Sequence, residues 1–438
     1  MKVLLAVHGF PPTHFAGAER AAERIALWLV AQGHQVEVFT LENLSDPNAH
    51  LTRSEERGFV VHRLHYDLKA GDHFQNRYDD PRVGAAFQDV LKQNRFDVVH
   101  VVSGYLLGGQ VIHTAKAAGI PVALTLTEYW FMCERLNLLH RDNQMCVGPD
   151  SHDKCARCVV ADLRRHQIVE DYAPRLSGLY WGVLQGMGWM QDWQTAFARR
   201  RETLKAALEA VDVVISPSRF LIEKFTEYEY DLRQAAHIPH GLKPPAASIQ
   251  RASASNGTRL RIGYLGQIKS HKGVDLLIDA ALPMLADGAS IAVDLWGSSQ
   301  GGEAYGEALQ ARTRDVAAIH WRGSFKGAQV WEALSSIDVL VVPSRWYENS
   351  PIVILEAFTA GIPVIATRLG GMKEKIQHEQ DGLLFEKDDI VDLRRQLQRL
   401  LDEPDLLARL RQGIPPVPTV DDELGMIYAQ YRALVGHD

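Results

Sequence analysis

Several features are scarce in this 438-residue sequence, and each shortage excludes something. No apolar run approaches the ~20 residues that a membrane-spanning helix needs. Residues 1–8 are apolar but the stretch is short, ends at His8 and Pro11-Pro12, and lacks a small-residue cleavage site. It reads as a buried strand, not a signal peptide, so the expected location is cytoplasmic with reduced cysteines. Basic residues are also in deficit: 47 Lys and Arg against 54 Asp and Glu, a formal net charge of −7. A nucleic-acid binder needs a concentrated basic face, so no nucleic-acid partner is expected. Low-complexity tracts and repeats of about 20–50 residues are missing, which excludes a solenoid. The first strand is not followed by G-x-G-x-x-G, which speaks against a bound dinucleotide. No convincing Asp-x-Asp metal motif is present.

What is present is an alternation of short apolar runs and helical patterns. Runs at 3–7, 35–40, 97–102, 122–126 and 211–215 precede a break, and runs at 260–265, 292–296, 339–342 and 364–366 follow it. Strands of this length between helices imply parallel sheets built from βαβ units. A chain this long exceeds one ordinary core. The expected fold is therefore α/β, with two tandem doubly wound, Rossmann-like domains and a cleft between them. The expected boundaries are 1–243 for the first domain, 244–257 for a Pro-, Ser- and Ala-rich linker, and 258–413 for the second. Residues 414–438 form a last helix that could pack on either domain. Within the first domain, a Cys-rich insert spans about 128–160 and a helical insert about 161–205.

The densest chemistry lies at 343–358. A buried strand ends at Val342, a polar loop follows, and Ser350 with Pro351 behind it makes a favourable N-cap and first helical position. Ligands of open α/β sheets bind at the carboxyl ends of strands, and a helix N-terminus there suits a phosphate. Glu348 precedes that terminus and Glu356 lies within the helix, with seven residues between them. Two carboxylates bracketing an anion site suit a ligand with a diphosphate in its middle and hydroxyls at both ends. Lys272, leading a helix after the 260–265 strand, can bring a point charge to the same diphosphate. Taken singly, Glu348, Glu356 and Lys272 read equally well as solvated surface groups.

Together these segments resemble the family-4 retaining glycosyltransferases of the GT-B fold. The matching pattern runs Gly263-x-x-Gly266, Lys272-Gly273, Pro343-Ser344, Glu348-x7-Glu356-Ala357, then Ala360-Gly361-x-Pro363-Val364. Gly17-Ala18-Glu19, 215–220, 368–374 and 381–385 also fit. The resemblance implies transfer of a sugar from a nucleoside-diphosphate-sugar donor to a glycan or lipid-linked acceptor, as in cell-surface polysaccharide or glycoconjugate synthesis. It implies that Glu348 binds hydroxyls of the transferred sugar and that Glu356 holds the ribose. Lys272 and the N–H groups of 350–353 would neutralise the diphosphate, so no catalytic metal is expected. Gly17, Gly266, Gln267, Asn349, Ser350, Pro351 and Ile352 complete the implied donor site, with Glu348 and Lys272 as the catalytic pair. The sequence departs from the family at Gln267, where many members carry arginine, and at Thr127-Glu128, where His-Asp is frequent; Ala16 replaces a frequent glycine. Thr127 and Glu128 are then assigned to the sugar or acceptor side. A non-catalytic nucleotide-sugar binder, or a nucleotide-sugar hydrolase or epimerase, would suit the same scaffold.

All four cysteines, Cys133, Cys146, Cys155 and Cys158, fall in one polar segment. Cys155-x-x-Cys158 plus two further thiolates is an S4 set for a structural zinc; disulfides and free thiols are the alternatives. Residues 179–193, with three tryptophans and two methionines beside Arg199-Arg200-Arg201, suggest two roles. One is a helix pair packed on the first domain, and the other is a peripheral contact with the inner membrane face.

Overall fold

The computed structural model describes residues 1–186, 188, 190–245, 259–325 and 327–436. Short runs of apolar residues build two sheets, and the alternation of side chains along each strand decides which layer each residue joins. The first sheet contains β1 (Lys2–Val7), β2 (Gln35–Leu41), β3 (Ser45–Glu56), β4 (Phe59–Asp67), β5 (Val98–Val101), β6 (Val122–Thr125), β7 (Val213–Ser216) and β8 (Ala235–His237). Their order is β3-β4-β2-β1-β5-β6-β7-β8, parallel except where β3 pairs antiparallel with β4. The second sheet contains β9 (Leu260–Leu265), β10 (Ile291–Trp296), β11 (Ile319–Gly323), β12 (Val339–Val342), β13 (Val364–Thr367) and β14 (Gly382–Phe385). Its order is β11-β10-β9-β12-β13-β14, parallel throughout.

Both sheets are covered on both faces, which is the doubly wound α/β architecture expected. In β1, Leu4 and Ala6 join one core while Val3, Leu5 and Val7 join the other. In β12, Val339 and Val341 face one layer, and Leu340 and Val342 the opposite one. Each such side chain contributes about 1.5–3 kcal/mol on full burial, so the central strands anchor the fold. The polar strand β3 has no such pattern. It is an edge strand, mostly exposed, and only its register with β4 holds it in the sheet.

The linker expected at 244–257 lies, from 246 onward, outside the described residues. The helix Val420–Val435 packs on the first domain. Leu424, Ile427 and Tyr431 enter the core that holds Val3 and Val7. Glu423 accepts from Arg24 at 2.7 Å and from the Gly241 N–H at 3.0 Å. The Tyr431 hydroxyl lies 2.5 Å from His100 Nδ1, and His100 Nε2 lies 2.7 Å from Thr125 Oγ1. Leu242 and Thr419 pair as a parallel bridge, so the two segments crossing between domains run side by side.

Candidate active site

Because the sheets are parallel, the loops after their strands gather at one edge of each sheet, and there the domains meet. The Asn349 amide donates to the Thr127 carbonyl at 2.8 Å and accepts from Ser218 Oγ at 2.5 Å. The Tyr129 hydroxyl donates to the Tyr347 carbonyl at 3.2 Å. Glu374 accepts from the N–H groups of Arg219 and Phe220 at 3.1 and 2.9 Å, at the start of the helix Arg219–Glu227. A carboxylate at a helix N-terminus is favourably placed. Asn349, assigned to the donor from sequence, is thus committed to holding the two domains together.

Lys272 and Glu348 meet. Lys272 Nζ lies 2.6 Å from Glu348 Oε1, which also accepts from Ser344 Oγ at 2.9 Å and Trp346 Nε1 at 2.8 Å. The ammonium stands 4.9 Å from the Trp346 ring centroid. Glu348 is only 8% exposed, yet Oε2 makes no hydrogen bond among the described residues. Ser344 entered the sequence reading only as part of the Pro343-Ser344 match, with no role assigned, and the sequence signal of Trp346 is its proximity to Glu348.

Glu356 sits on the helix Ile352–Thr359, half-buried, without a side-chain hydrogen bond or ion pair among the described residues. Burial pushes its carboxyl above the usual range. One expectation needs correcting. Ser350 does not cap this helix: Pro351 occupies the cap position, with no side-chain cap bond. The Ser350 hydroxyl is buried without a partner. A residue before proline is pushed to extended backbone, and the helix begins only after Pro351. The helix therefore starts with its N–H groups uncapped, beside Ile352.

Glycines let these loops approach one another. A Cβ on Gly371 would lie 1.6 Å from the Asn349 carbonyl oxygen, and one on Gly273 would lie 2.0 Å from that of Pro343. Gly273 also has φ 71°, a conformation glycine adopts without penalty. Gly266 is spanned by a bond from the Tyr264 hydroxyl to the Gln267 carbonyl at 2.6 Å, and the Gln267 side chain is exposed.

On the first domain, Gly17 opens the helix Gly17–Ala31, whose cap position Ala16 supplies no side-chain bond. A Cβ added at Gly17 would meet nothing within 4 Å. Thr127 Oγ1 donates to Glu128, and Ser103 Oγ donates to it at 3.4 Å. Burial raises the Glu128 carboxyl, and the Thr127 bond and nearby His8 only partly offset it. His8 Nε2 lies 3.1 Å from Glu19, and its Nδ1 is buried without a partner. Burial alone would raise the Glu19 carboxyl, but the His8 bond, the helix-start backbone N–H and the charges of His8 and His14 together hold it low. His8 and Ser103 were not legible as site residues, because β1 and β5 become neighbours only in the sheet.

The cysteines are all unpaired thiols: Cys155 and Cys158 lie on the helix His152–Val160, and Cys133 and Cys146 on the preceding loop. Trp181 and Trp193 of the helical insert do not form an outward face. Trp181 and Met190 are buried and Trp193 packs beside them, while Met187 and Trp189 lie outside the described residues. The outward apolar side chains are others, on the helices Arg164–Tyr172 and Pro174–Gly186: Ile168, Tyr172, Leu176, Leu179 and Val183, with Leu179 71% exposed. The inward side was already filled by the bulkier rings.

Comparison with known proteins converges on one group. Residues 16–241, more than half of the chain, match the family described as glycosyl transferase 4-like domain, and residues 246–415 match glycosyl transferases group 1. Alpha-D-kanosaminyltransferase of Streptomyces kanamyceticus is 27% identical over 175 residues, 38% of this chain and 45% of that protein. The lipopolysaccharide core biosynthesis mannosyltransferase LpsB of Rhizobium meliloti is 26% identical over 220 residues, 45% of this chain and 60% of that one. The chain spans about half the length of the curated relatives it matches. Sucrose-phosphate synthase of Thermosynechococcus elongatus superposes with a TM-score of 0.62 at 18% identity, covering 100% of both chains. Anabaena HepE, solved with UDP and glucose, gives 0.62 at 15% identity, over 98% of this chain and 99% of that one. These likenesses establish the two-domain GT-B fold.

Proposed function

The chain belongs to the glycosyl transferase 4-like family, and on that premise we propose that it transfers a sugar from a nucleoside-diphosphate-sugar donor to an acceptor hydroxyl, retaining the anomeric configuration. The observation that carries this is Glu356: a half-buried carboxylate without a partner, beside an uncapped helix start and the unpaired Ser350 hydroxyl. Such a carboxylate accepts two neighbouring ribose hydroxyls, and the open N–H groups with Ser350 take the diphosphate. Lys272 and the exposed Gln267 amide complete its neutralisation, without a catalytic metal. Glu348 Oε2 accepts a hydroxyl of the transferred sugar.

The bond between the anomeric carbon and the diphosphate oxygen breaks, and its electron pair leaves with the nucleoside diphosphate. The acceptor oxygen bonds that carbon, and its proton passes to the departing phosphate oxygen. Glu348 Oε1 is held three ways by Lys272, Ser344 and Trp346, so it acts as a fixed charge and not as a mobile nucleophile. That favours attack from the face the diphosphate leaves, stabilised by prearranged charges. Thr127 and Glu128 are assigned to the sugar or acceptor side.

A glycan or lipid-linked acceptor is supported by the apolar stripe of Leu176, Leu179 and Val183, spaced to share one helix face. No helix of the described residues is long and apolar enough to cross a membrane. In this assignment the chain is cytoplasmic and rests that face on the inner leaflet. The curated relatives quoted are named as transferases, which disfavours a hydrolase, an epimerase or a non-catalytic binder. The test is a thermal-shift screen of UDP-, GDP-, ADP- and dTDP-sugars. A donor at ~100 times its Kd adds ~2.7 kcal/mol of stability. If no nucleotide sugar stabilises the protein, or Glu356→Ala leaves binding and turnover unchanged, the assignment fails.

A further inference from the structure

The four cysteines converge although 25 residues separate Cys133 from Cys158. With His140 they line a single cavity of about 30 Å³, large enough for an ion but not for a metabolite. The chain between β6 and the helix His152–Val160 contains no helix or strand, only the isolated bridge between Leu139 and Met145. It nevertheless holds Leu136, Leu138 and Asn143 at positive φ, conformations that cost on the order of 1 kcal/mol or more each away from glycine. Burial of Tyr129, Trp130, Phe131, Met132 and Leu138 in the first-domain core supplies part of what keeps it in place. Cys133 and Cys146 pack against the main first-domain core, and Cys155 packs against the small core around Trp181. The thiols therefore sit on the seam between two cores.

We propose that Cys133, Cys146, Cys155 and Cys158 bind one structural zinc ion as a tetrahedral S4 set. Each thiol gives its proton to solvent as its Zn–S bond forms, so four protons leave and nothing is oxidised or reduced. The resulting centre carries two negative charges, and its surroundings suit it. Burial raises the free thiols, and the positive charges of Arg200 near Cys133, Arg135 near Cys158 and Lys154 near Cys155 act in the opposite direction. His140 Nδ1 lies 3.6 Å from Cys158 Sγ, placed to donate to the bound thiolate. No three of these sulfurs lie within 4.8 Å of one another; among the described residues only the partly exposed group Asp46, His50 and His65 meets that spacing. Binding draws the sulfurs to ~3.8 Å apart, the spacing that ~2.3 Å Zn–S bonds impose on a tetrahedron. The ungoverned loop makes that movement by rotating side chains.

The ion bears on the cleft through a tight turn. The Cys133 N–H donates to the Tyr129 carbonyl at 2.7 Å, and the Tyr129 N–H donates to Leu136 at 3.1 Å. The same residue Tyr129 holds Tyr347 across the domain boundary, one position after Glu128. Zinc would thus fix the loop that presents Glu128, whatever reaction the cleft performs.

The experiment is elemental analysis of the untagged full chain, with thiol titration and cobalt substitution. About one zinc per chain is expected, with four thiols titrating only after a chelator removes it and a tetrahedral thiolate spectrum with Co(II). Cys155→Ser with Cys158→Ser should lose the metal and the spectrum. Less than ~0.2 zinc per chain with all four thiols titrating in the native protein would overturn the proposal. So would iron with acid-labile sulfide, or full zinc retention in the double variant.

Discussion

Lys272 Nζ stands 2.6 Å from Glu348 Oε1, joining the loop after β9 to the loop after β12. Two residues that would each offer a charge to a ligand are coupled to each other first. Removing either one leaves the other mispositioned as well as unpaired. Lys272→Met and Glu348→Gln should each lower kcat/KM by about 10²-fold or more, the scale for losing a prearranged charge. The double variant should lose far less than the product of the two, a coupling of about 0.5–3 kcal/mol. Additive losses in the cycle would mean that the ion pair has no role in turnover.

Glu356 should show a trade between stability and binding. Burial raises its carboxyl, so at neutral pH the folded chain holds a carboxylate that the unfolded chain ionises more easily. The stability penalty is present above the ordinary carboxyl pKa and disappears at lower pH, where both states are protonated. Glu356→Gln should raise Tm at pH 7, lose that advantage below about pH 4, and weaken nucleotide-sugar binding. A Tm gain that persists in acid would refute the electrostatic cause.

Gly17 has open space around its Cα, so the fold itself does not require glycine there. Gly17→Leu should leave Tm within about 1 °C, consistent with a surface change near ±0.5 kcal/mol. If the donor diphosphate approaches this loop, the same variant loses turnover. Unchanged kinetics would remove Gly17 from the site.

His100 links stability to acid. Buried between Tyr431 and Thr125, it is held neutral, its pKa pushed down to about 3 by burial. Its contribution is full above the unfolded histidine value near 6.5 and falls by about 1.4 kcal/mol per pH unit below it. Urea midpoints of the wild type should therefore drop between pH 7.5 and 5.5 more than those of His100→Gln. Parallel drops would show that His100 is not the acid-sensitive group.

Leu176, Leu179 and Val183 form an exposed apolar stripe on a helix whose other side is buried. Flotation with phosphatidylglycerol–phosphatidylethanolamine vesicles should carry the protein upward, and changing all three residues to serine should abolish it. Wild-type protein left at the bottom of the gradient would end the membrane assignment.

The apolar runs of β1, β9, β12 and β13 could be read directly, because a strand buried on both faces must be continuously apolar. Glu348, Glu356 and the helix between them could be read too, since loop, proline and helix are adjacent in the chain. Contacts between distant residues could not. Asn349 looked like a ligand group, and only the arrival of Thr127 and Ser218 from the other domain commits it to the domain contact. Ser350 had the right identity for a cap, but the helix begins after Pro351 and the Ser350 hydroxyl is left without a partner. The tryptophans of the insert left two roles open, packing on the first domain or a membrane face, and Trp181 and Trp193 pack inward.

Local chemistry, then, was settled by the order of residues: which stretches are strands, where a helix starts, and which side chains can carry charge. The tertiary structure decided which charge meets which. Lys272 finds Glu348 across 76 positions, and Tyr431 finds His100 across 331. Sequence order limits only what neighbours along the backbone can do. Bringing together groups so far apart depends on the strand order within each sheet and on the helices packed over it, which the whole core sets at once.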